Sequence, residues 1–512
     1  MAGKGDSREA SLSFYTVFCA TAAALASFQN GYSTSATNIP ANSIRACPEG
    51  YQQNYPPFPN CLPMGDWIWG FVVGCFALGG MIGGLLAAPM LDKVGRRNTL
   101  IVNCLNFIIG AILLSLAVHP AMFAFGRVFV GAGAGMGSVA VSTYIGEIAN
   151  KNQRGALGTI NQTGVVIGIL VTQAVGLGLG GIPSWRYLMA ITAGPAIIQA
   201  VMLLFVPETP RYFVAKNKLE QGRNSLRRLR KGYDIDNEYD EIVIGQRAEA
   251  KGLDPSAVTD GNAPVSDAEL DQVETGNDGH QSRQTLTIFG LFKDPYTCRM
   301  TMVCMMVHLA QQLTGINGVM YYSTSIFTNV FGAQAARYAA IGVSGWNLVA
   351  TIISILTIEK AGRRVLLLVS EIGMCISAVL LVIGSLVGVN PLVVLGVFLF
   401  VGSFAIGLGP IPWLIVSELI PTYAVGAATS IAITLNWLGS FIVGLVFPAM
   451  QAGMKGWAFL VFAAIALAFA VGTFFFVPET RGKSMEQIAR ELGAQLKEGG
   501  TGVRKPSKVG QQ

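Results

Sequence analysis

The chain has 512 residues, 52% of them hydrophobic and only 12% charged, and a water-soluble protein of this length cannot cover itself with so few charges. Its 35 Lys and Arg against 29 Asp and Glu leave a net charge of +6, too small and too scattered to argue for nucleic-acid binding. The composition therefore excludes a soluble enzyme and points to lipid.

Residues 1–12 form a short polar tail. Apolar runs long enough to cross a ~30 Å hydrocarbon layer, roughly 20 residues each, then fall near 13–36, 68–90, 99–118, 122–144, 156–179 and 187–206. The first could imitate a cleaved signal peptide over Ser13–Ser27, but it continues into polar residues that have a repeat partner later. Residues 207–297 interrupt the pattern: the charge-rich stretch Leu219–Tyr239 reads as short soluble helices, and the Ser-, Asp- and Gly-rich stretch Asp254–Gln284 as a flexible linker. Six more runs lie near 298–330, 337–357, 365–387, 392–416, 427–450 and 456–477. A tail, 478–512, follows, with one amphipathic helix predicted from Met485 to Leu496.

Motifs recur in the same order after corresponding runs. Asp92-Lys-Val-Gly-Arg-Arg97 returns as Glu359-Lys-Ala-Gly-Arg-Arg364, Glu147 as Glu418, and Pro207-Glu208-Thr209 as Pro478-Glu479-Thr480. Tyr32-Ser-Thr-Ser35 returns as Tyr322-Ser-Thr-Ser325. The predicted fold class is accordingly an all-α membrane protein of twelve transmembrane helices in two homologous six-helix halves, 13–206 and 298–477, related by an axis along the membrane normal. Lys93, Arg96, Arg97, Lys151, Arg154, Lys360, Arg363 and Arg364 all fall in even-numbered connectors. The positive-inside rule then puts both termini in the cytoplasm.

Gln311-Gln-Leu-Thr-Gly-Ile-Asn317 followed by Tyr321-Tyr322, Arg154-Gly-Ala-Leu-Gly158, Pro207-Glu-Thr-Pro-Arg211, Gly409-Pro-Ile-Pro-Trp413 and Pro478-Glu-Thr-Arg-Gly482 together resemble the sugar porter family of major facilitator transporters, nearest to its facilitative glucose transporters. The resemblance covers about residues 13–484. It implies the major facilitator fold and transport of a monosaccharide, glucose or a related hexose, by alternating access.

A pyranose presents hydroxyls that both donate and accept, so its site calls for carboxamides and an aromatic plate rather than a trapping charge. Gln311, Gln312 and Asn317 fall within seven residues of the seventh run, where Gly315 lets the helix unwind and turn Gln312 and Asn317 to one ligand. The resemblance assigns these three to sugar binding, with Gln162, Asn347 and Asn436 as further contacts and Trp413 and Trp437 as bordering aromatics. Two positions depart from the family: Ala405 stands where some members carry an acid, and His308-Leu-Ala310 replaces a Gln-Leu-Ser triplet of glucose-selective members. His308 reads as a packed neutral imidazole, or else as an acceptor for a sugar hydroxyl or a group that responds to pH.

Energy coupling hinges on the first run. Proton-coupled sugar porters carry Asp after the Gly-Tyr pair, facing an Arg that matches Arg127, whereas this chain has Ser33 there. Facilitated diffusion follows from that substitution. The alternative is proton symport through another acid such as Glu371, and the further alternative is a non-transporting sugar sensor. Asp92, Arg96, Arg97, Glu147, Arg154, Glu359, Arg363, Arg364 and Glu418 match the family's inter-helix salt-bridge cluster and are expected to latch the inner side. One cation is missing from it, since Val425 stands where an Arg is usual.

Cys47 and Cys61 share the enlarged loop after the first run, where an oxidising exterior permits a disulfide; two free thiols are the other reading. The other six cysteines read as small apolar fillers. No metal-ligand spacing, P-loop or convergent acid, base and nucleophile is seen, so no cofactor, metal or enzymatic activity is expected. The expected partners are a monosaccharide and membrane lipid, with no nucleic acid and no obligate protein partner, and the expected location is the plasma membrane.

Overall fold

The computed structural model describes residues 13–52, 58–149, 154–250, 290–293, 295–420, 422–481 and 488. The first half contains spans 1 to 6: Phe14–Ser35, Asp66–Val94, Arg96–Ser115, Pro120–Ile148, Arg154–Leu179, and a sixth in two pieces, Trp185–Ala190 and Ala193–Leu204. The second half contains spans 7 to 12: Pro295–Leu313 with Ile316–Phe331, Ala333–Ala361, Arg363–Val387, Asn390–Ile406 with Ile411–Leu419, Thr422–Met454, and Ala458–Phe476. Every apolar run of the sequence is thus a helix. Three of them are broken, and span 7 begins at Pro295, three residues before the expected start.

Among the described residues, nine stretches are apolar and long enough to cross a membrane; the last, Ala424–Phe476, holds two spans, and spans 1 and 7 are not among them. Those two occupy equivalent places in the repeat. Span 1 carries Gln29, Asn30, Ser33 and Thr34, and span 7 carries His308, Gln311, Gln312 and Asn317, so their polarity marks helices that face protein or a cavity instead of lipid.

Without a hydrophobic drive between helices in lipid, packing relies on small residues that let backbones touch. Spans 2 and 4 are locked this way: a Cβ on Gly83 would lie 2.0 Å from the Ala132 carbonyl oxygen, and one on Gly131 would lie 1.9 Å from that of Phe76. The same device joins the halves, because a Cβ on Gly70 of span 2 would lie 2.3 Å from the carbonyl oxygen of Leu445 in span 11.

We call the side bearing the loop after span 1 the outer side. There Cys47 and Cys61 are joined by a disulfide. The loop is tied down further by Trp185 Nε1, which donates to Asn60 O at 3.1 Å, and by Arg186 Nη2, which donates to Pro59 O at 2.7 Å. On the inner side the helices Leu219–Leu229 and Asp236–Ala250 dock on the first half, where Arg230 pairs with Glu238 at 2.9 Å and donates to Ile148 O at 2.9 Å. The stretch read as a flexible linker and the helix expected over 485–496 lie outside the described residues, apart from the buried Ile488.

Candidate functional site

The centre of the second half is built on two helix breaks. Gly315 has φ +95°, and a Cβ there would meet the Phe462 ring at 2.6 Å, so both conformation and space require glycine. The break turns Asn317 under Gln312, whose Oε1 accepts a short hydrogen bond from Asn317 Nδ2. Span 10 breaks after Ile406 and frees main-chain carbonyls. Gln311 Nε2 satisfies two of them, donating to Leu408 O at 2.7 Å and Gly409 O at 2.9 Å.

From these breaks runs a continuous chain of carboxamides. Gln311 Oε1 accepts from Asn436 Nδ2 at 2.6 Å, Gln312 Nε2 donates to Asn436 Oδ1 at 3.0 Å, and Asn317 Nδ2 donates to Ser440 Oγ at 2.7 Å. Asn436 Nδ2 also reaches His308 O at 3.2 Å. Each of these four side-chain amide nitrogens has a partner, and an orphan buried donor would cost ~1–3 kcal/mol. A sugar hydroxyl, which donates and accepts, can exchange into such a chain bond for bond. Gln311 and Asn436 are buried, whereas Gln312 and Asn317 are half-buried. Gln311 therefore holds the frame, and Gln312 and Asn317 present it.

The remaining expected contacts are placed unevenly. Trp413 is 40% exposed and stands edge-on to His308, with ring centroids 5.7 Å apart. His308 is buried and its Nδ1 donates to Cys304 O at 3.0 Å, the arrangement of a packed imidazole. Trp437 leans the other way, across the boundary between halves, with its ring edge-on to Phe76 at 5.9 Å and filling the space over Gly80. Gln162 is half-buried on span 5 and Asn347 buried on span 8; neither joins the carboxamide chain. Sequence reasoning missed Ser440, and it missed Asn161, which donates to Ser142 Oγ at 2.8 Å and accepts from Ser27 Oγ.

Arg127 is fully buried on span 4. Its Nη1 donates to the main-chain oxygen of Ser33 at 2.7 Å, its Nη2 to that of Val73 at 3.4 Å, and its Cζ lies 4.7 Å from the Phe76 ring centre. Nε of Arg127 and Oγ of Ser33 have no hydrogen-bond partner among the described residues. The guanidinium is thus held by carbonyl dipoles and a ring face, with no carboxylate.

The inner charges form two matching networks. Arg96 pairs with Glu147 at 2.9 Å and Arg363 with Glu418 at 3.0 Å. Thr209 and Thr480 hydroxyls donate to the other oxygens of Glu147 and Glu418. Glu208 accepts from the main-chain N–H groups of Arg96 at 3.0 Å and Arg97 at 3.1 Å, and Glu479 accepts from those of Arg363 at 2.9 Å and Arg364 at 3.2 Å. Each glutamate caps the N-terminus of a span with negative charge. Burial raises the Glu208 carboxyl above its usual range, opposed by the N–H groups of Thr209, Arg97 and Arg96. Gly95 and Gly362 sit at φ +100° and +90° beneath these carboxylates, which would lie 2.3 and 2.7 Å from an added Cβ.

In this outer-closed shape the residues of the expected latch are placed as follows. Both ion pairs join neighbouring spans of one half, because the paired residues lie on spans 3 and 4 or 9 and 10. Arg97 and Arg364 belong to no ion pair among the described residues; Arg97 Nε donates to Leu203 O at 2.8 Å, and Arg364 donates to Phe474 O, so they cap the ends of spans 6 and 12. Asp92 lines an inner recess beside Arg96, Glu147, Arg211 and Lys216. The side chains of Arg154 and Glu359 lie outside what the structure describes, and Val425 packs half-buried against the core. The described hydrogen bonds between halves are on the outer side, where Asn38 Nδ2 donates to Ser323 Oγ at 2.6 Å and the Thr324 N–H to Asn38 Oδ1 at 3.0 Å.

Two six-span halves, closed on one side and enclosing broken helices with paired amides, have the major facilitator fold, and the family match and relatives that follow make the protein a transporter and not an enzyme. The sequence profile of the family described as "Sugar (and other) transporter" matches residues 19–253 and 245–492, and the chain belongs to that family. It is 34% identical over 495 residues to the mouse (Mus musculus) solute carrier family 2, facilitated glucose transporter member 3, covering 94% of both chains. Against member 4 from Homo sapiens the identity is 36% over 491 residues, covering 92% of this chain and 90% of the relative. In fold it is similar to the partially occluded inward-open xylose transporter XylE from E. coli, with a TM-score of 0.72 at 24% identity, covering 92% of this chain and all of the other.

Proposed function

We propose that this integral membrane protein carries a monosaccharide, glucose or a related hexose, by facilitated diffusion. The observation that carries the reading is the chain of carboxamides through Gln311, Asn436, Gln312 and Asn317, neutral and bidirectional in its hydrogen bonding, as a polyhydroxylated neutral substrate requires. The two relatives named above are facilitated glucose transporters, which makes glucose the first substrate to test. In this reading Trp413 borders the sugar, Trp437 couples the site to span 2, and Gln162 and Asn347 approach as the halves rock.

The uniport reading rests on Arg127. Its hydrogen bonds run to main-chain oxygens of Ser33 and Val73, so the pairing does not change with protonation. Cytoplasmic placement of both termini accords with the basic inner connectors, and the plasma membrane is the location we propose with it. The test is uptake of labelled glucose into transporter-deficient cells, competed by fructose, galactose, xylose and inositol. Competed uptake without alkalinisation of the medium is the expected result. Sugar-induced alkalinisation refutes uniport, and absence of uptake with intact sugar binding turns the reading to a sensor.

A further inference from the structure

The carboxamide chain of Gln311, Gln312, Asn317 and Asn436 lies wholly in the second half, so a sugar bound to it turns its other edge to the first half. The repeat shows which residues stand opposite. Five residues before the matched Tyr32 and Tyr322 lie Ser27 and Asn317, and five before the matched Glu147 and Glu418 lie Ser142 and Trp413. An axis along the membrane normal therefore sets Ser27 and Ser142 at the depth of Asn317 and Trp413, on the other side of the passage.

One amide joins these two serines. Asn161 of span 5 donates from Nδ2 to Ser142 Oγ at 2.8 Å and accepts at Oδ1 from Ser27 Oγ. Ser27 is buried, Asn161 half-buried and Ser142 exposed, so the three run from the packed contact of spans 1 and 5 to an open face. An exposed hydroxyl beside a half-exposed amide marks a polar passage and not a lipid face. One turn outward the pattern recurs on spans 1 and 4, where Asn30 Nδ2 donates to Ser138 Oγ at 3.4 Å and Ser142 Oγ donates to Ser138 O at 3.0 Å. The second half has no amide to match Asn161, because seven residues beyond the matched Arg154 and Val425 lie Asn161 and Ala432. Asn436 stands one turn, ~6 Å, further out, so the two amides approach a ligand from opposite halves at different depths.

We propose that Asn161, held by Ser27 and displayed beside Ser142, is a first-half contact of the sugar and a determinant of which sugar is accepted. The second N–H of Asn161 and the remaining lone pair of Ser142 Oγ match a hydroxyl that both donates and accepts, and the pair carries no charge. Ser27 fixes the amide from its buried side and leaves the donor edge to the passage. The adjacent Gln162 points ~100° away round the helix, so the two amides address different groups. A site built to bond a hydroxyl discriminates against an analogue that lacks it, because its own polar groups are then left unpaired. The sugar is thus read on two edges, one by Gln312 and Asn317 and the other by Asn161 and Ser142.

The inference rests on the sugar-transport reading, and uptake of labelled D-glucose competed by each monodeoxy-D-glucose separates the two. Wild-type protein should bind the analogue that lacks the hydroxyl read by Asn161 more weakly than glucose. Asn161→Ala is expected to raise the glucose KM about tenfold with little change in maximal rate, and to erase the penalty for that one analogue while the others keep theirs. Ser142→Ala, at an exposed position, should shrink the same penalty, which keeps the test valid if Asn161→Ala protein fails to fold. Asn317→Ala should erase the penalty at a different hydroxyl. A residue that only braces spans 1, 4 and 5 would lower the thermal midpoint and change all analogues alike, and that result overturns the inference. So does loss of the same hydroxyl's penalty in both Asn161→Ala and Asn317→Ala. Wild-type uptake with unchanged ratios in the Asn161 and Ser142 variants refutes the first-half contact alone, whereas absence of wild-type uptake refutes the sugar-transport reading and the contact with it.

Discussion

Gly70→Ala places one methyl group where span 2 meets span 11. The added Cβ would lie 2.3 Å from the Leu445 carbonyl oxygen and 3.1 Å from its carbon, about 1 Å inside comfortable contact. Both obstacles are main chain, so no side-chain rotation relieves them and the spans must separate. Overpacking of this kind costs ~1–3 kcal/mol. The contact joins the halves on the side where Asn38 bonds to Ser323 and Thr324, so the cost falls on the outer-closed shape and not on each half's own fold. The ratio of outer-open to outer-closed protein should therefore rise about 5- to 150-fold. Hydrogen exchange reads this directly, because main-chain amides around Asn38 and Thr324 are covered by closure and should exchange faster by that factor. Gly131→Ala is the control: its Cβ would lie 1.9 Å from the Phe76 carbonyl oxygen, within the first half, so it should lower thermal stability without singling out the outer contact. If folded Gly70→Ala protein exchanges around Asn38 and Thr324 at the original rate, outer closure does not depend on this approach.

Glu208→Gln and Glu479→Gln each remove the charge from a helix cap, and each should lower stability by ~1–2 kcal/mol, read as a lower thermal midpoint; a loss confined to one half would contradict the equivalence of the two networks. Asn317→Ala removes the bonds to Gln312 and Ser440 and should raise the glucose KM about tenfold, or ~1.4 kcal/mol; an unchanged KM places the sugar elsewhere. Ser33→Asp puts a carboxylate beside Arg127, and uptake should become dependent on external pH, with alkalinisation at a pH electrode; uptake indifferent to pH would show that this position does not decide coupling.

Several site residues were legible because their chemistry is out of place. Gln311, Gln312, Asn317 and Asn436 stand out as amides in apolar runs, and Gly315 as the residue that lets a helix turn. Ser440 carried no such signal, since small hydroxyl residues are common in spans and acquire meaning only from the neighbour they meet, whereas Asn161 is an amide in an apolar run and was passed over for the adjacent Gln162. Glu208 and Glu479 were visible as repeat markers, but a carboxylate that caps a helix more than 100 residues away leaves no local trace. The inner charges show a different limit: like motifs at like positions mark them as equivalent in the two halves, yet do not say with which helix each pairs.

The sequence by itself determined the number of spans, their grouping into two halves and the identity of the polar centre, because hydropathy, repeat order and amide placement are written along the chain. Only the tertiary structure decided that Arg127 rests on carbonyls, that Gln311 supports the broken span 10 while Gln312 and Asn317 face outward from it, and that the inner ion pairs stay within their halves. Those outcomes depend on how close two backbones come, which is set by glycines on helices distant in sequence and cannot be read from either helix alone.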